Sequence, residues 1–248
     1  YGEVVKALDS SDEAIAWTLE VESWNATNGY PSAVAIFKDR LWLGNTTERP
    51  SGLWASETFL YDSFGRGAGD TDGIDINIKA NSINWMQASR DLIIGTPTNE
   101  ISISVASTTG SSVTASNIKQ TPRTFYGSER QKPLAVDSEV IFRSAGGKEL
   151  RSTSYDFSTD GYRTEDLLLY ASHLSVSGII ENYYSNTPDG VIYALTTDGD
   201  VLCGTYKRAQ EVMAWSKYTT DGDIKAMCVL NRSQNDILLC LVQRDSGL

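Results

Sequence analysis

The chain has 248 residues, of which 40% are apolar, enough for a sizeable core in one large all-β domain or two small ones, and disorder is excluded on that ground. A formal charge of -11 argues against sequence-independent nucleic-acid binding, which depends on lysine and arginine neutralising phosphates. Cys203, Cys228 and Cys240 lie in apolar strand patterns without C-x-x-C or Cys/His spacing, so buried free thiols are expected, with no disulfide framework and no metal site. No long apolar run or charged-then-apolar leader occurs, so neither a membrane span nor a signal peptide is expected.

Residues 1–28 form an irregular lead-in with one candidate strand, Ala14–Val21, whose Ile15, Trp17, Leu19 and Val21 alternate with Ala16, Thr18 and Glu20. Such a strand would suit the completion of an unfinished sheet edge elsewhere in the chain. From Gly29 the punctuation becomes regular. Ala33–Phe37, the polar break Lys38-Asp39 and Leu41–Leu43 read as a β-hairpin, with Leu53–Ser56 as a third strand and Ile74–Ile78 as a fourth.

The second strand of that hairpin has counterparts at Leu92–Ile94, Val140–Phe142, Ile192–Ala194 and Ile237–Leu239, separated by 45 to 52 residues. First strands are expected at Trp85-Met86, Ala135-Val136, Ile179–Tyr184 and Met227–Val229. Further third strands fall at Ile101–Val105, Leu150–Tyr155 and Val201–Tyr206, and fourth strands at Ala115–Gln120, Leu167–His173 and Val212–Tyr218. Four strands per repeat of this length predict an all-β fold, a β-propeller with about five recognisable four-stranded repeats. Its blades would cover residues 29–80, 81–127, 128–175, 176–220 and, in part, 221–248. The competing architecture is a large β-sandwich. The fifth repeat breaks off at Asp245-Ser246-Gly247, which suggests a fragment of a longer polypeptide. Core candidates are Trp42, Trp54, Trp85, Phe142, Tyr193 and Trp215. The loops 45–52, 65–73, 107–117 and 156–165 are the candidate contact surfaces.

The sequence assigns no catalytic, cofactor-binding or metal residue. Asp70, Asp72 and Asp75 follow a glycine-rich turn, but the full calcium-loop pattern is missing and a solvated loop fits better. The single histidine, His173, lies in an apolar run and is expected to be packed or at an interface rather than to serve as the base of a triad. Ser128 in Tyr-Gly-Ser-Glu-Arg lacks the nucleophile-elbow pattern. Three Thr-Asp-Gly segments, at Asp160-Gly161, Asp198-Gly199 and Asp221-Gly222, differ from sialidase Asp-boxes and read as Asp-Gly hairpin turns.

The strings Gly29–Phe37, Arg40–Gly44 and Trp54–Ser56, with Ile74–Ile76, Asn81–Trp85, Arg90–Thr96, Tyr126–Ser128, Tyr155–Phe157, Asp160–Tyr162 and Thr205–Trp215, resemble in order and spacing the propeller region of the nozzle, or tail tubular protein B, of short-tailed bacteriophages. The resemblance runs from about residue 29 to residue 243. It implies a non-enzymatic structural protein of the virion tail and a self-assembled, hexameric ring with acidic channel-facing loops. The implied partners are adaptor proteins of the head–tail connector, tail fibre or spike proteins, and double-stranded DNA that passes through the channel during ejection into the host without specific binding. The alternative class is a carbohydrate-binding or sialidase-like propeller acting in host-surface recognition, which needs convergent carboxylates and stacked aromatics.

Overall fold

The computed structural model of the chain describes residues 24–67, 69–105, 113–210 and 212–244. Its strands form five antiparallel sheets, each a meander in chain order. The first contains β1 (Ala33–Phe37), β2 (Arg40–Gly44), β3 (Gly52–Ala55) and β4 (Ile74–Asn77). The second contains β5 (Trp85–Ala88), β6 (Leu92–Gly95), β7 (Glu100–Val105) and β8 (Ile118–Thr124). The third runs β9 (Leu134–Val136), β10 (Glu139–Arg143), β11 (Leu150–Asp156) and β12 (Gly161–Asp166). The fourth runs β13 (Ile179–Ser185), β14 (Val191–Thr196), β15 (Val201–Lys207) and β16 (Val212–Tyr218). The fifth has two described strands, β17 (Asp223–Leu230) and β18 (Ile237–Gln243).

Turn chemistry sets the meanders. Lys38 and Asp39 both take left-handed φ values, 50° and 59°, so the two-residue β1–β2 turn carries the twist that primed turns share with strands. Asp160, at φ 48°, closes the longer connection from β11 to β12, residues 157–160, with a left-handed backbone as well. The Asp-Gly reading holds for the β14–β15 turn, where Gly199 sits at φ 83°, whereas at Asp160-Gly161 the aspartate alone is left-handed and Gly161 already pairs within β12. The third, Asp221-Gly222, instead joins the fourth sheet to the fifth.

The core consists of four seams between successive sheets. Trp42, Leu53 and Ile74 pack with Met86, Ile94 and Ile101, and Trp85 and Ile93 with Val140 and Phe142. Val136, Ile141 and Leu150 pack with Ile179, Ile192 and Leu202, and Leu195 and Val201 with Ile224 and Met227. Strands buried on both faces explain why β3 and β6 read as continuous apolar runs instead of alternating ones. Of the core candidates, Trp42, Trp54, Trp85 and Phe142 are buried, whereas Tyr193 and Trp215 are half-buried.

Each seam carries the same backbone bond. At the first strand of the later sheet, or in the segment leading into it, an amide donates to a carbonyl in the turn between the second and third strands of the earlier one; the lead is longest at Ser128, ahead of β9 at Leu134. The pairs are Ile83 N to Pro50 O at 3.0 Å, Ser128 N to Thr96 O at 2.8 Å, Ile179 N to Gly147 O at 2.7 Å and Ile224 N to Gly199 O at 3.0 Å. The base of one expected contact loop, 45–52, takes part in the first junction, while Thr47, Glu48 and Pro50 stay exposed. Asn45 and Thr46 are buried there, and Asn45 Nδ2 donates to Ile83 O at 2.7 Å.

Other expectations need correction. Leu167–His173 is not a fourth strand, because the polar stretch Gly161–Asp166 takes that place. Six residues of β12 pair in register with β11. Leu167 and Leu168 then turn inward to fill the third seam while Tyr170 projects into solvent. The segment 156–165 is thus mostly strand. The cysteines are free as expected, but Cys228 and Cys240 are exposed and only Cys203 is partly covered, since no described element packs over the terminal sheet. His173 lies exposed in a 3-10 turn, Ser172–Leu174, and is not packed. The candidate strand Ala14–Val21 and most of the loop 107–117 lie outside the described residues.

Candidate functional site

The first strands of the sheets line two adjoining depressions. One, of about 390 Å³, lies among residues 32–36 at β1, 84–88 at β5 and 130–133 ahead of β9. The other, of about 790 Å³, continues along β9 and β13 to Val229 and Asn231 at the end of β17. Volume alone would admit a small ligand, but a binding pocket also needs polar groups converging on one point. The described lining carries Arg130 and Lys132 and one carboxylate, Glu181, which accepts the backbone amide of Met227 at 3.2 Å.

A side groove of about 490 Å³ opens between β12 and β16, bounded by Arg163, Glu165, Tyr170, Tyr206, Arg208 and Trp215. Beneath it lies Glu139, 3% exposed. Its Oε2 accepts the hydroxyls of Ser152 and Tyr206 and its Oε1 pairs with Arg208. A carboxylate held by two hydroxyls and an arginine charge ties the third sheet to the fourth. Burial raises the Tyr206 phenol above its ordinary value.

The aspartate-rich loop 65–73 is organised by an arginine. Arg40 is fully buried at the start of β2, where its Nη1 donates to Ser56 O at 2.6 Å and Asp72 O at 2.7 Å, and its Nη2 to Asp70 O at 2.7 Å. Convergent carbonyls of this kind are also what a hard cation would take, and the guanidinium occupies them. Asp75 pairs with Arg49 at 2.8 Å and with Arg66 at 2.5 Å, and the Asp72 carboxylate accepts the Gly69 amide at 2.7 Å. No cluster of metal-ligating side chains occurs among the described residues. Burial lowers the Arg40 pKa, yet a guanidinium stays charged at any physiological pH.

Ser128 is 2% exposed, and both its amide and its hydroxyl point to Thr96 O, at 2.8 and 3.2 Å, so it serves the second seam. Glu100, 1% exposed at the start of β7, accepts the Thr124 hydroxyl. Burial pushes its carboxyl up, against the opposing pull of that hydroxyl, the Tyr126 amide and the Arg151 charge. Arg40, Glu100 and Glu139 went unnoticed in the sequence. The available signal was a charged residue opening a strand of an otherwise apolar meander. No protein-family model matches the chain, and no curated protein matches it.

Proposed function

We propose that the five sheets are blades set around a common axis, and that the chain is a non-enzymatic structural component of a short-tailed phage tail nozzle. The observation that carries the blade arrangement is the amide-to-turn bond repeated at all four seams, because one repeated contact between successive modules generates a rotational series. The first strands lining two adjoining depressions agree with it. The virion role rests on the ordered resemblance across residues 29–243, and on buried charges that are engaged in holding sheets and loops. A stiff module with a surplus of acid suits a channel wall that must not retain DNA.

In this role the chain assembles with copies of itself as a hexameric ring, against an adaptor ring above and fibre or spike proteins at the side. Cryo-electron microscopy of the purified protein tests the proposal. Rings of copies with radially stacked sheets are expected. Two face-packed sheets would overturn the blade arrangement. Particles that stay monomeric with the adaptor protein present, or that hydrolyse or bind sialylated glycans, would overturn the tail role.

A further inference from the structure

Two features stand outside the seams. The first is the loop after β3. Phe59 takes a left-handed φ of 65°, which a bulky side chain rarely adopts, and is nevertheless 68% exposed, with Leu60 and Tyr61 exposed beside it. Neighbouring backbone holds it there. The Phe59 amide donates to Asp39 O at 2.8 Å, the Glu57 amide to Ser63 O at 2.8 Å and the Thr58 amide to Thr71 O at 3.0 Å. A strained residue fixed by its surroundings, with its side chain in solvent, points to a role outside packing. Asp62, the next residue after Tyr61, is exposed and in no ion pair among the described residues. The loop thus presents a rigid apolar tip with a negative charge beside it.

The second is the side groove between β12 and β16. Its lining includes half-buried Met213 and Trp215 and also Tyr170, which is 96% exposed. Its carboxylates are engaged, Glu165 by Arg163 at 2.9 Å and Asp166 by the Leu168 amide at 2.9 Å. Arg163 and Arg208 are both exposed, and each ion pair leaves the rest of a five-donor guanidinium fork open to solvent. Aromatic surface beside guanidinium donors is the chemical complement of an aromatic tip beside a free carboxylate.

We infer that the Phe59 tip of one copy docks in the side groove of a second copy, with Asp62 meeting the groove's arginines. The inference rests on the ring of copies proposed for the tail and names the contact that builds it. In the blade arrangement the tip belongs to the first sheet and the groove to the outer strands of the third and fourth, so the two lie on different flanks. A contact between different flanks is head-to-tail, which closes a ring or continues as an open series. Acid beside the tip, on a chain of net charge -11, disfavours the anionic surface of a membrane as the occupant.

Sedimentation velocity of the purified chain over a dilution series tests it, with electron microscopy of the same samples. Glycine accepts a left-handed φ without strain, so Phe59→Gly is expected to melt no lower than wild type while weakening self-association at least about tenfold. Asp62→Arg and Arg163→Asp are each expected to weaken it, and the two together to restore it, because the charges are then exchanged across the contact. Hexameric rings indifferent to Phe59→Gly, or single losses that merely add in the double variant, would overturn this contact and leave the tail reading standing. Open series, or rings of another number, that dissolve with Phe59→Gly would uphold the contact and overturn the hexameric reading. A wild-type chain that stays monomeric at every concentration would overturn the contact, and the tail role is then decided with the adaptor protein present.

Discussion

Arg40 shows how a single buried charge can organise a loop that carries no regular structure. Replacing it with methionine keeps the stem's packing but leaves the carbonyls of Ser56, Asp70 and Asp72 without their donor. Unsatisfied buried carbonyls cost roughly 1–3 kcal/mol each, part of which water recovers at the loop surface. Arg40→Met is therefore expected to lower stability by about 3 kcal/mol in urea titration and to make residues 65–73 the first site of proteolysis. An unchanged midpoint would show that the loop holds itself. Glu100 acts in the opposite sense. Its pKa is raised in the fold, so the native state holds the proton more tightly than the unfolded chain does. Its contribution is thus fully present below the unfolded carboxyl value, about 4.3, and is lost as pH rises through the raised folded value. Glu100→Gln is expected to flatten that part of the stability–pH curve and to raise the melting point at neutral pH by roughly 2–4 °C. Thermal melts of both proteins across the acid range check it, and parallel curves would refute the assignment.

Between strands, small residues make room for large ones. Gly95 on β6 faces Trp85 on β5, and a Cβ there would come within 2.0 Å of the indole. Gly204 stands in the same relation to Trp215, with 2.7 Å to the ring. Trp85 in turn meets Phe142 of the next sheet at 5.4 Å, so displacing it disturbs a seam as well as a strand pair. Gly95→Ala is expected to destabilise by about 1–3 kcal/mol and to change tryptophan fluorescence. A neutral result would mean that the indole has another place to go. At this scale all five second strands were legible, because an apolar run between turn formers has few other ways to fold. The fourth strand of the third sheet was not. Polar Gly161–Asp166 forms that strand because it pairs with β11, and the apolar run after it fills a seam. Hydrophobicity marks burial, and burial does not require a strand.

Across the molecule, seams buried on both sides couple each sheet to the next, so unfolding is expected as one cooperative transition in which near- and far-ultraviolet circular dichroism coincide. Gly199 tests that coupling at its last step. It sits at φ 83°, and a Cβ would come within 2.9 Å of Asp223 Cβ at the head of β17. Gly199→Ala is expected to loosen the fifth sheet and produce an earlier, separate transition. Retention of a single transition would show that the apolar contacts of Ile224 and Met227 suffice without the turn. The sequence by itself determined the all-β class, the in-phase meanders and the glycine and aspartate turns, since these follow from neighbours within a few residues. Only the tertiary structure decided where Arg40, Glu100 and Glu139 direct their charges, and that Asn45 and Thr46 at the base of loop 45–52 are buried in a junction between sheets. It also decided that the cysteines of the last sheet lie exposed. Each of these depends on partners that local sequence does not specify. Asp70 O meets Arg40 across thirty positions, and Tyr206 meets Glu139 across sixty-seven.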